Sequence, residues 1–120
     1  MQPFRVMVTE DGRSTLRLEV SGEVDLLVAP DLLDTILCAG MSAGPRTVIV
    51  DLAAVTFMDS SGLGALLEAH RRLPGLDCQL VVVDLPEALR QLMTATGLAA
   101  VLTIETSRDD AGRVETLTPQ

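Results

Sequence analysis

The chain contains no lysine, no tryptophan and no tyrosine. Without lysine there can be no P-loop, whose lysine reaches the nucleotide phosphates, and no Schiff-base mechanism. Aromatic residues are limited to Phe4 and Phe57, so the chain offers no stacking platform for bases, and its core must be built from aliphatic side chains and methionine. All nine basic residues are arginines, set against 17 acids for a net charge of -8. A polyanion repels such a chain, which argues against nucleic acid as a direct partner. Two cysteines, Cys38 and Cys78, stand 40 residues apart with no CxxC pair, and a single histidine is available to help ligate a metal. Both cysteines are expected to be small, buried apolar residues, with a redox pair as the alternative, and neither a metal nor a cofactor is expected. No apolar run approaches the roughly 20 residues a membrane-spanning helix needs. The segment Met1-Gln2-Pro3-Phe4-Arg5 lacks the charged and apolar regions of a signal peptide, so the expected location is the cytoplasm.

What remains is 120 residues of 48% apolar composition, enough for one domain with its own core. The hydrophobic period changes from two to 3.6 and back along the chain, as strands and helices alternate. Phe4, Val6 and Val8 alternate with polar neighbours, Asp11-Gly12-Arg13-Ser14 makes a turn, and Leu16, Leu18 and Val20 alternate again. This predicts a β-hairpin with one wet face. The runs Thr47 to Leu52 and Leu80 to Val83 are nearly continuous in apolar residues, with Val101 to Ile104 a weaker third. Runs of that kind are expected as strands buried on both faces.

Three helical patterns lie between them. The first places Ala29, Leu32, Leu33, Ile36 and Leu37 on one stripe behind Pro30, the second Leu63, Leu66, Leu67 and His70 ahead of Pro74-Gly75, and the third Leu85, Ala88, Leu89, Leu92 and Met93 between Pro86 and Gly97. The order β-β-α-β-α-β-α-β implies an α/β domain, with an antiparallel hairpin opening a mixed sheet that continues through parallel crossovers. The domain core is expected over about residues 4–108. Ser107 could cap a short last helix ending near Gly112, and residues 109–120 are expected as a fraying tail.

The informative segment is Phe57-Met58-Asp59-Ser60-Ser61-Gly62-Leu63-Gly64, where a strand gives way to the second helix. Asp59 or Ser60 suits the N-cap, and the plainest reading of the string is a cap and nothing more. Gly62 and Gly64 speak against that, because each costs on the order of 1 kcal/mol relative to alanine inside a first helical turn. Bare backbone on both sides of Leu63 would let a partner or a phosphate donor come close to the serines. A phosphate on Ser61 would meet the positive end of the helix dipole, add about -1.5 to -2 charge and leave the fold intact.

Ser61 is not expected to be a nucleophile. The G-x-S-x-G pattern of hydrolase elbows is absent, and His70 stands nine residues further along the same helix, about 13 Å away at 1.5 Å per residue. His70 falls on the apolar stripe and is expected at the core edge. A parallel sheet allows Asp25, Asp51 and Asp59 to lie near one rim, outside the strand ends, where α/β folds place their ligands. Solvated caps and turns are the default reading of each, and Arg71-Arg72 and Arg108-Asp109-Asp110 are expected on the solvated surface.

These residues resemble the STAS domain family and, within it, the bacterial anti-sigma factor antagonists. The resemblance rests on Gly22-Glu23-Val24-Asp25, on Val48-Ile49-Val50-Asp51-Leu52 leading through Val55 and Phe57 to Met58-Asp59-Ser60-Ser61-Gly62-Leu63-Gly64, and on Thr96-Gly97-Leu98. It implies a non-enzymatic, partner-switching protein that binds an anti-sigma factor with serine kinase activity and thereby frees a sigma factor. Phosphorylation of Ser61, the second serine of the string, would break that complex, and a PP2C-type phosphatase would restore it. Asp25 matches a family position on the kinase-facing surface beside the phosphoserine, and Asp59, Ser60, Gly62, Leu63 and Gly64 match the surrounding motif. A homodimer is compatible with the resemblance. Two other roles within the family stay open: a regulatory subunit of a membrane-associated transport complex, and a nucleotide- or small-ligand-binding module. The sequence departs from the family pattern at Asp84-Leu85-Pro86-Glu87, where a small polar cap before proline is usual.

Overall fold

Apolar residues alternate along the longest strand and then change phase twice, and that change shapes the sheet. In the computed structural model, which describes residues 2–10, 12, 14–42 and 44–105, this strand is β3, Thr47–Met58. Val48, Val50 and Leu52 are buried with a period of two, after which the buried positions become Val55 and Met58. Its neighbour β2, Thr15–Val24, pairs with it in parallel, with Glu19 opposite Asp51, Ser21 opposite Ala54, Gly22 opposite Val55 and Glu23 opposite Phe57. The extra residues therefore sit in β3, as two bulges, and each shifts the inward-facing set by one position. The Asp51 carboxylate accepts from Ala53 N at 2.9 Å, satisfying an amide at the first irregularity.

The remaining elements are β1, Arg5–Glu10; α1, Ala29–Met41; α2, Ser60–Arg72; β4, Gln79–Val83; α3, Glu87–Thr96; and β5, Ile104–Glu105. The sheet order is β1-β2-β3-β4-β5, with only the β1–β2 pair antiparallel. This is the expected mixed sheet opened by a hairpin. The α1 and α2 helices pack on each other and bury Leu32, Ile36, Leu66 and Ala69 against Leu18, Val48, Val50 and Val82. Full burial of each of these leucines, isoleucines and valines contributes about 1.5–3 kcal/mol.

Several expectations are corrected. β4 is buried on both faces from Leu80 to Val83, but β3 is not, because Ile49 and Asp51 on its second face are only half-buried. Asp51 consequently lies mid-strand and not at the rim: its Oδ2 is 2.6 Å from Arg17 Nη2, which also lies 3.5 Å from Asp84 Oδ2. Asp84 leaves β4 with φ 58 and lies by Arg17, and α3 begins at Glu87 with Pro86 at the N-cap position and no side-chain cap bond. The last strand starts at Ile104, later than expected, because Leu98–Ala100 continue as a 3-10 turn in which Leu98 O accepts from Val101 N and Leu102 N. Cys78 is buried, but Cys38 is exposed, facing outward from α1 beside the buried Leu37 and Ala39. The helix proposed from Ser107 and the tail lie outside the described residues.

Candidate functional site

β2 and β3 end together, with Val24 opposite Met58, and Asp59 N then donates to Val24 O at 3.2 Å. The two turns that follow, opened by Asp25 and Asp59, therefore leave the sheet side by side. Each aspartate fixes its own turn. Asp25 Oδ1 accepts from Leu27 N at 3.0 Å and Val28 N at 3.3 Å, while its carbonyl accepts from Ala29 N at 2.9 Å, at the start of α1. Asp59 Oδ1 accepts from Ser61 N at 2.9 Å and Gly62 N at 3.4 Å, which makes Asp59, and not Ser60, the N-cap of α2.

Gly22 and Gly62 hold this rim together. Gly22 adopts φ +89, and a Cβ there would lie 2.1 Å from Pro3 O, so only glycine lets the N-terminal segment cross β2. That crossing is tied by Glu23 N donating to Gln2 O at 3.1 Å. At Gly62 a Cβ would fall 2.4 Å from Met58 Cγ and 3.0 Å from Val24 Cγ1. The missing side chain thus seats the start of α2 on the strand ends. This corrects the expectation that Gly62 clears a path for a partner: it is buried, and so is Leu63, which is 3% exposed and anchors α2 in the core. Gly64 differs, being exposed with nothing within 4 Å of a Cβ position.

The motif therefore leaves Ser60 and Gly64 exposed, with Ser61, Asp25 and Asp59 half-buried beside them. Ser61 is the second residue of α2, and its hydroxyl makes no hydrogen bond to protein among the described residues. Of the first-turn amides that a phosphate would seek, those of Ser61 and Gly62 are already used by the Asp59 side chain. A phosphate on Ser61 would add its charge to a rim holding two carboxylates, with the helix dipole as the compensating field. His70 lies half-buried near the far end of α2, on the core edge and away from Ser61. Sequence reasoning did not single out Leu26 and Leu27, which are 71% and 83% exposed in the Asp25 turn. The signal was present as two adjacent leucines directly after a turn aspartate, off the stripe of the helix that follows.

Among the described residues no cluster of His, Cys, Asp or Glu could hold a metal ion, and no helix is long and apolar enough to cross a membrane. The STAS domain model matches residues 6–111. An anti-sigma-B factor antagonist of Staphylococcus epidermidis is 33% identical over 81 residues, 68% of this chain and 74% of that protein. Another, of Listeria monocytogenes, is 28% identical over 100 residues, 83% of this chain and 87% of its own length. The crystal structure of an anti-sigma factor antagonist from Mycobacterium paratuberculosis superposes with a TM-score of 0.73 at 30% identity, covering 85% of each chain. By its motif, sheet order and these likenesses, the chain belongs to the STAS domain family, among the bacterial anti-sigma factor antagonists.

Proposed function

We propose that this chain acts as an anti-sigma factor antagonist whose switch is phosphorylation of Ser61. In this reading the unphosphorylated rim binds an anti-sigma factor with serine kinase activity, that factor releases its sigma factor, and a PP2C-type phosphatase resets the system. The carrying observation is the placement of Ser61: a half-buried serine at the second position of α2, beside the turns locked by Asp25 and Asp59. Ser60 and Gly64 would lie in the contact, while Gly62 and Leu63 hold the serine in place from beneath. A dianion there meets Asp25 and Asp59 on its own side and the nucleotide phosphates of a kinase on the other. Each tenfold loss of affinity needs only about 1.4 kcal/mol, so release requires no refolding.

The test is incubation with ATP and the purified serine-kinase anti-sigma factor of the source organism, followed by intact-mass measurement. Wild type should gain one phosphate, Ser60→Ala should still gain it, and Ser61→Ala should gain none. Ser61→Asp should fail to bind the kinase. Phosphate on Ser61→Ala, or wild-type binding by Ser61→Asp, would sink this reading.

A further inference from the structure

Leu27 and Leu26 are the two most exposed large apolar side chains among the described residues, at 83% and 71%. They do not lie on a loose loop. Asp25 Oδ1 holds Leu27 N and Val28 N from one end, and Val28, packed against the core, holds the turn from the other. A rigid turn that displays two leucines has already lost the backbone entropy that docking would otherwise cost. The turn adjoins the Ser61 rim, because Val24 and Met58 pair immediately before it and Asp59 N is bonded to Val24 O.

Along the chain on either side of the leucines the charge is of one sign. Positions 18 to 45 and 47 to 69 contain no Arg, Lys or His, and Glu23, Asp25, Asp31 and Asp59 lie in the strand end, turns and first helical turn next to the leucines. An apolar knob in an acidic collar fits a complementary socket, apolar at its floor and basic at its rim.

We infer that Leu26 and Leu27 are the anchor by which the chain docks on the protein that phosphorylates Ser61, through an apolar socket rimmed by arginine and lysine on that protein. The inference rests on the reading of Ser61 given above and adds to it the residues that select the partner. The leucines supply affinity, the acidic collar supplies orientation and salt dependence, and the hydroxyl of Ser61 is thereby presented to the kinase.

The test compares wild type with a Leu26→Ser/Leu27→Ser variant against the purified serine-kinase anti-sigma factor, by titration calorimetry and by steady-state phosphorylation. Circular dichroism melts establish that both proteins are folded. Truncating each anchor should weaken binding about tenfold or more, each tenfold corresponding to about 1.4 kcal/mol. KM should rise in proportion while kcat at saturation is unchanged and Ser61 remains the modified residue. Raising ionic strength should weaken wild-type binding, and a salt-independent affinity would remove the basic rim from the proposal. Equal affinity and equal KM for the two proteins, with Ser61 phosphorylated in both, would overturn the docking inference and leave the Ser61 reading standing. A large loss of binding in the variant with no phosphate on wild-type Ser61 would overturn the Ser61 reading and, with it, the claim that the docked protein phosphorylates this serine. Absence of wild-type binding to the kinase would overturn both.

Discussion

Replacing Gly62 and Gly64 separately by alanine should change stability in opposite directions, although the two positions lie within the first turns of the same helix. Alanine gains up to about 1 kcal/mol over glycine in a helix. At Gly64 that gain is kept, because the residue is exposed and a Cβ meets nothing within 4 Å. At Gly62 the same methyl would sit 2.4 Å from Met58 Cγ, 3.0 Å from Met58 Sδ and 3.0 Å from Val24 Cγ1. Carbon pairs are comfortable at about 3.5–4.0 Å, so something must move. Met58 can change rotamer, but it is only 8% exposed, and Val24 is fully buried with a stiff β-branched side chain. Overpacking of this kind costs about 1–3 kcal/mol. Set against the helical gain, Gly62→Ala should lose about 1 kcal/mol and Gly64→Ala gain about 0.5–1, a separation of nearly 2. With no tryptophan or tyrosine to report, urea unfolding is followed by far-ultraviolet circular dichroism. Equal midpoints and equal slopes for the two variants would refute the packing argument and return Gly62 to the role of a clearance for a partner.

Asp59→Ala should destabilise the domain by about 1 kcal/mol through loss of the cap on Ser61 N and Gly62 N, read from the same denaturation curves. Arg17→Ala removes the guanidinium shared by the half-buried Asp51 and Asp84 and should cost about 1–2 kcal/mol, whereas Arg71→Ala, on an exposed pair with Glu68, should cost less than about 0.5. Burial pushes the Cys78 thiol up from its ordinary range, so it stays protonated and shielded at neutral pH. Iodoacetamide should therefore modify Cys38 in the native protein, and Cys78 only after denaturant is added, as read by peptide mass mapping. Equal native labelling of the two would contradict the placement of Cys78.

The element order and the helical stripes were legible because they depend on local period: Leu32 and Ile36, or Leu66 and Ala69, declare their face through spacing alone. The Ser61 segment was legible for a related reason, since a cap aspartate, two serines and two costly glycines form an unusual local string. The burial of Cys38 was misjudged because its position on α1 depends on which arc of the helix meets α2, and a small apolar residue beside the stripe carries no signal of its own.

The sequence by itself determined the mixed sheet begun by a hairpin and the three helices, and set apart the Asp59-Ser60-Ser61-Gly62 string, all through short-range patterns. Only the tertiary structure decided the length and double bulge of β3, which move Asp51 from the rim to a mid-strand bond with Arg17. Only it separated Gly62, pressed on Val24 and Met58, from Gly64 in open space. The same pairing of strand ends set the Asp25 turn and its exposed leucines beside the serine. The physical reason is common to these cases: register and cross-chain approach are fixed by contacts between segments far apart in sequence, and local periodicity does not encode them.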